Sequence, residues 1–354
     1  MAKSKEFLDS VFVKFDSTDD VCSECFKAYD TDRDGALNFE ECSNLLTDLL
    51  KSKSHKLDEE DKERIFSLLD EDKDGRICKE DFRRCGYYWL KQTMKPVSAF
   101  VIVDVQNDFI EGSLALHRCP AGHDGAEVIP IINKLLETIP FDLVVYTRDW
   151  HPDNHISFIE NVKQWPVTNA SKIKADDAKL YDTVEFEGPP RIEQKLWPKH
   201  CVSETWGAEI HPDLKIVENA VYVNKGCHPG VDSYSAFWDN NKLSQTELVR
   251  ILAKHKVTDV YVCGVAYDVC VGFTSFDSLE HGFRTVLIDD ACRGVEEDDI
   301  DVTKRKFVES GGIIVHSSQV KAIVTGEDRP SVLGLQTAKN VALARELVNR
   351  GIVK

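Results

Sequence analysis

The sequence predicts two parts of different class: an all-α module over residues 1–95, then an α/β domain over 96–354. The second is a doubly wound, mainly parallel sheet in a three-layer α/β/α sandwich. Three observations predict this. The first 95 residues read as amphipathic helical runs punctuated by Asp-x-Asp clusters, with no convincing strand. Lys95-Pro96 then interrupts the pattern, because proline and the residue before it continue helices poorly. Beyond it, short apolar β-branched runs alternate with helical stretches, as in a parallel sheet covered on both faces.

The elements follow in order. Helices are expected at 19–29 and 40–50. The first strand is expected over 99–105, on the run Ala99-Phe100-Val101-Ile102-Val103. Further strands fall at 141–147, 220–224, 259–264, 285–289 and 312–316, with helices at 127–138, 243–255, 269–281 and 300–309. Ligands of such sheets sit beyond the carboxyl ends of the strands. No Gly-x-Gly-x-x-Gly or P-loop is present, which argues against a nucleotide enzyme. Residues 319–354 read as helical, with Ala338–Asn349 amphipathic, and receive no role.

The formal net charge is −17. Most of such a surface repels phosphates and anionic lipid heads, so neither nucleic acid nor membrane is expected as a partner. The stretch Met1–Glu6 is too charged for a signal peptide, and no apolar run approaches a membrane span. The expected location is cytoplasmic, with a nuclear or peroxisomal pool left open. Eleven cysteines, an odd number, suggest reduced thiols and no disulfide framework. Cys22 and Cys25 form an incidental C-x-x-C pair.

Residues 30–41 read Asp30-Thr31-Asp32-Arg33-Asp34-Gly35-Ala36-Leu37-Asn38-Phe39-Glu40-Glu41. This fills the twelve-residue EF-hand loop: carboxylates at positions 1, 3 and 5, glycine at 6, a backbone carbonyl from Ala36 at 7 and Glu41 at 12. Residues 70–81 repeat it with Asp70, Asp72, Asp74, Gly75, Arg76 and Asp81. Asp81 is one methylene shorter than glutamate, so the second loop should hold Ca²⁺ more weakly or shift toward Mg²⁺. Leu37 and Ile77, at position 8, should form the short bridge of an EF-hand pair.

Four segments of the second part place reactive residues after strands. Asp104 ends the first strand, where a partly desolvated carboxylate can act as a base; an ordinary helix cap is the alternative. In Asp149-Trp150-His151-Pro152-Asp153-Asn154-His155, Asp149 and His151 share one side of an extended chain. With His200 from Trp197-Pro198-Lys199-His200-Cys201 they could hold Zn²⁺ or another first-row divalent ion. His155 is a competing ligand. Lys225 ends a strand, where a solvated surface lysine is the ordinary reading. Cys270 follows the strand ending at Gly264 and stands where a helix opens, a position that favours thiolate. Lys225 would lower its pKa further, and Asp104 could take its proton.

Together these segments resemble the nicotinamidase/pyrazinamidase group of the isochorismatase-like hydrolases, over about 99–318. The matching stretches are Asp104-Val105-Gln106-Asn107-Asp108-Phe109, residues 149–158, residues 197–201, Lys225-Gly226, residues 264–271 and the Asp232-to-Phe237 run. The resemblance implies a triad of Asp104, Lys225 and Cys270, and metal ligation by Asp149, His151 and His200. It implies a cis peptide between Val265 and Ala266, with the N–H groups of Ala266 and Cys270 as oxyanion hole. Phe109 and Trp197 would sandwich a pyridine ring. Glu160 is left open as a further member of the metal shell.

The implied reaction is hydrolysis of nicotinamide to nicotinate and ammonia through a thioester, with pyrazinamide also accepted, in NAD salvage. The EF-hand pair departs from small microbial members. It suggests that Ca²⁺ tunes the amidase through a linker at 88–98; stability or docking of a Ca²⁺-dependent partner is the plainer reading. A homo-oligomer is possible. The alternatives are an amidase of the same fold acting on another small carboxamide, and a calcium sensor with an inactive hydrolase scaffold.

Overall fold

In the computed structural model, which describes residues 5–14, 18–52, 55–188 and 190–352, one unit comprises Met1–Val97 with Lys321–Lys354. The other comprises Ser98–Val320. Met1–Ser4, part of the stretch weighed above as a leader, lie outside the described residues. No described helix is long and apolar enough to cross a membrane.

The first unit begins with helices Lys5–Lys14, Thr18–Tyr29, Phe39–Leu49 and Glu59–Leu69. Asn38 caps the third in a full capping box with Glu41, and Asp58 caps the fourth. Two-residue strands β1 (Ala36–Leu37) and β2 (Ile77–Cys78) pair antiparallel with Leu37 opposite Ile77, the bridge expected of two such loops. Apolar helix faces close over Leu37, Leu45, Leu49, Ile65, Ile77 and Trp89. Cys22 and Cys25 are packing residues of this core.

Two expectations change here. The supposed linker at 88–98 is mostly helix Tyr87–Met94, which buries Trp89, Leu90, Thr93 and Met94. Residues 321–354, assigned above to the second part, group instead with the first. Helix Ser331–Asn349 places Leu335 and Ala338 in the same apolar cluster. An apolar stripe announces that a helix face is buried, but not against what.

The second unit contains β3 (Ser98–Val103), β4 (Leu143–Asp149), β5 (Thr183–Phe186), β6 (Ile192–Lys195), β7 (Val221–Lys225), β8 (Asp259–Val265), β9 (Arg284–Arg293) and β10 (Ile313–Val315). Six of them form one sheet in the order β10-β9-β8-β3-β4-β7, and every neighbouring pair is parallel. These are the six strands read from the sequence. Helices Val128–Thr138, Leu248–Lys254, Gly272–Glu280 and Glu297–Glu309 connect them. The antiparallel hairpin β5–β6 was not anticipated; it closes a small separate core of Ile156, Val162, Val184, Phe186 and Leu196.

From β3 the chain winds outward through β4 to β7, then returns to β8 on the other side of β3. The strand order therefore reverses between β3 and β8, and a crevice opens beyond their carboxyl ends. Gly264 lets the two strands approach there. Its φ is +115°, and a Cβ would stand 2.1 Å from the Val103 carbonyl oxygen.

Candidate active site

Strand register gathers the reactive residues. Asp104 follows β3, Asp149 ends β4 and Lys225 ends β7, with Asp149 directly opposite Lys225. Cys270 lies in the single wide turn Tyr267–Val271 after β8, just before helix Gly272–Glu280. Lys225 is only 2% exposed, so it is no surface lysine. Its Nζ stands 2.9 Å from Asp104 Oδ2 and 2.5 Å from Asp149 Oδ1. The same ammonium donates to the Ser233 carbonyl at 3.0 Å and reaches Cys270 Sγ at 3.2 Å. Oxygens of Asp104 and Asp149 and the Cys270 sulfur lie within 4.8 Å of one another.

Asp104 is not a helix cap. It is fully buried, and the Thr147 hydroxyl donates to its Oδ1 at 2.6 Å. Burial pushes its carboxyl up against the opposing pull of Lys225, and the Asp149 charge adds to the rise. Burial would also raise Asp149, but Lys225 and His151 outweigh it and hold that carboxyl well below its ordinary range. Burial works against the Lys225 charge too; Asp104 and Asp149 prevail and keep it protonated. Cys270 differs from the expectation of a favoured thiolate. Burial drives its thiol well up, and Lys225 only opposes that rise. The sulfur therefore rests protonated and needs a base beside it.

On the other side of Asp149, two imidazoles converge. His151 Nε2 lies 3.5 Å and His200 Nε2 3.6 Å from Asp149 Oδ2. Each ring is fixed through Nδ1, His151 to the Gly226 carbonyl at 2.9 Å and His200 to the Pro198 carbonyl at 2.7 Å. Both Nε2 atoms are thereby aimed at the carboxylate, the donor set and orientation that suit a divalent ion. His155 stacks on His151 at 4.1 Å but is tied to Ser157 and Val231, and burial lowers its pKa to about 3. It is a neutral packing partner behind His151. The exposed Glu160 carboxylate accepts from the Lys199 backbone N–H.

A cavity joins these groups. Phe109, Leu114, Leu116, Trp197 and Val295 form apolar walls, and Asp149, His200, Asp232, Tyr234, Ala266 and Cys270 also face it. The Val265–Ala266 peptide is cis, as the resemblance implied. Sequence reasoning left three supports unassigned. Thr147 was visible only as the last residue of the expected strand 141–147. Gln106 donates to the Asp149 carbonyl at 2.8 Å and accepts from the Asp149 N–H at 2.8 Å, clamping that backbone. Asp108 accepts from the Cys201 N–H at 2.7 Å, next to His200. Their spacing after β3 signals a turn; their partners come from distant segments.

In the first unit, oxygens of Asp30, Asp32 and Glu41 gather within 4.8 Å, as do those of Asp70, Asp72 and Asp74. Asp30 Oδ1 and Asp70 Oδ1 are buried without hydrogen-bond partners, as oxygens awaiting a cation would be. Asp34 is not part of the first group, nor Asp81 of the second. Asp34 pairs with the Arg76 guanidinium, whereas sequence reasoning had used only the Arg76 carbonyl.

Comparison with known proteins adds to this geometry. Residues 98–319 match the isochorismatase domain, and residues 19–85 match an EF-hand domain pair. The chain is 37% identical over 199 residues to the nicotinamidase of Acinetobacter baylyi, covering 56% of this chain and 82% of that one. It is 32% identical over 222 residues to the nicotinamidase of Saccharomyces cerevisiae, covering 59% and 94%. A solved Acinetobacter baumanii nicotinamidase/pyrazinamidase superposes with a TM-score of 0.54 at 36% identity, over 63% of this chain and 98% of that one.

Proposed function

The chain belongs to the isochorismatase family and is a hydrolase; from that footing we propose that it cleaves nicotinamide to nicotinate and ammonia, with pyrazinamide as a second substrate. The observation that carries this reading is the placement of Cys270, Lys225 and Asp104 around one point, beside the Asp149–His151–His200 cluster. The walls formed by Phe109 and Trp197 suit a flat aromatic ring.

In the proposed reaction Asp104 takes the Cys270 proton as sulfur attacks the carboxamide carbon. The N–H groups of Ala266 and Cys270 hold the oxyanion, and Lys225 balances charge nearby. Asp104 returns the proton to the leaving nitrogen, ammonia departs, and a thioester remains. Asp104 then activates a water that releases nicotinate and frees the thiol. Asp149, His151 and His200 would hold a divalent ion, zinc or another first-row metal, which when bound supplies Lewis acidity and an anchor for the ring nitrogen. Product nicotinate would serve NAD salvage, in the cytoplasm.

The loops at 30–41 and 70–81 are read as Ca²⁺ sites that tune the amidase. Ammonia release from nicotinamide tests the main reading. Release by the native chain and its loss in Cys270→Ala support it. Release from another carboxamide but not from nicotinamide overturns the substrate. No release from any carboxamide leaves a calcium-binding protein with an inactive scaffold.

A further inference from the structure

An EF-hand pair ordinarily offers an apolar groove to an amphipathic helix of a partner. Here helix Ser331–Asn349 lies against that apolar surface. It packs on helices Glu59–Leu69 and Tyr87–Met94, and Leu335 and Ala338 are buried in the same apolar cluster as Leu50, Phe66 and Trp89, with Val341 packed against it. With Gly334 and Arg345 these positions recur at helical spacing along one face. The fit is close. The buried Trp89 indole donates to the Gly334 carbonyl at 3.1 Å. A Cβ on Gly334 would stand 2.6 Å from Leu50 Cδ2.

The far end of the helix grips the start of the second loop. Arg345 donates to the Leu68 carbonyl at 3.2 Å and stands 4.0 Å from Glu71. Leu68 is in the helix that leads into Asp70, and Glu71 is the second residue of the loop. With the helix seated, the carboxylates of Asp70, Asp72 and Asp74 already converge. Seating the helix and gathering the ligands are thus features of one conformation.

We propose that the target helix of this EF-hand pair is the chain's own segment 331–349, and that its seating and Ca²⁺ binding reinforce each other through Leu68–Glu71. The helix follows residues 98–320 in the chain, so both covalent connections of the hydrolase unit end on the calcium-responsive one. A groove filled in cis is closed to helices from other proteins. The inference rests on reading the two loops as calcium sites.

The full-length chain tests it. Coupling is reciprocal, so anything that loosens the helix must weaken the ion by the same factor. Gly334→Leu adds bulk against Leu50 while favouring the helix itself; Arg345→Ala removes the grip at the loop without touching the core. Each should weaken Ca²⁺ binding, followed by titration calorimetry, by about five-fold or more. Ca²⁺ should also slow amide exchange across 331–349 in the native chain. Native Ca²⁺ affinity in both variants, with exchange in 331–349 indifferent to Ca²⁺, overturns this proposal alone. No Ca²⁺ heat in the native chain overturns the calcium reading and this proposal together.

Discussion

Lys225 Nζ stands 3.2 Å from Cys270 Sγ while ion-paired with both Asp104 and Asp149. One buried ammonium therefore holds together the proposed nucleophile, its proposed base and the first residue of the proposed metal cluster. Substituting Lys225→Met leaves two buried carboxylates unbalanced. We expect a loss of about 3–5 kcal/mol of stability, read from the denaturant midpoint, together with loss of amidase activity. Native stability in this variant would show that the pair is not buried as described.

Asp104→Asn removes the proposed base but keeps the shape. The rate of ammonia release should fall by about 10²–10⁴-fold while the fold, followed by circular dichroism, is retained. A loss under two-fold would assign the proton transfer to another group.

The acid limb of the pH–rate profile follows from the raised pKa of Asp104. The base works only when ionised, so activity is lost as pH falls through a value above the ordinary 3.8. The Thr147 hydroxyl bond favours the ionised form and lowers this value. Thr147→Val should therefore move the acid limb to higher pH. The stability signs are opposite for the two carboxylates. The raised Asp104 contributes stability at low pH that is lost as pH rises through its folded value. The lowered Asp149 contributes stability above the ordinary 3.8 that is lost as pH falls below it. An unmoved acid limb in Thr147→Val would remove Asp104 as the titrating base.

Gln106 clamps the backbone of Asp149, the first residue of the proposed metal cluster. Gln106→Leu should reduce metal affinity by about 10–100-fold, measured as bound metal after dialysis against a graded chelator. His200→Ala should lose the metal outright. Equal metal content in both variants and the native chain would place the ion elsewhere.

In the second calcium loop, Asp81→Glu restores the longer position-12 side chain and should tighten that site without changing the first. Calorimetry with two resolved sites would show it, and an unchanged weak site would point to another cause of weakness. Rates of ammonia release with saturating Ca²⁺ and with a Ca²⁺-selective chelator should differ; equal rates end the regulatory reading.

Much of this was legible in the chain itself. The six apolar runs became the six strands of the sheet, because a strand buried on both faces must be apolar throughout. Asp104, Asp149, Lys225 and Cys270 stood out because each follows such a run, and the carboxyl ends of parallel strands meet at one edge. Both loops were readable because the EF-hand pattern is local, twelve residues closing on one point.

Partners that are distant in sequence were not readable. A carboxylate after a strand could be a cap or a base until Thr147 and Lys225 were seen to enclose Asp104. Cys270 looked poised as thiolate, but only packing reveals that burial raises its thiol instead. The amphipathic stripe read at 338–349 missed where the helix is buried, which is Ser331–Ala338, and could not name its cover, which lies more than two hundred residues earlier in the chain. Composition and spacing thus determined the candidate residues and the strands that present them. Tertiary structure decided the direction in which each buried group's pKa moves and which surface the last helix covers, because those depend on desolvation and on contacts that the order of residues does not encode locally.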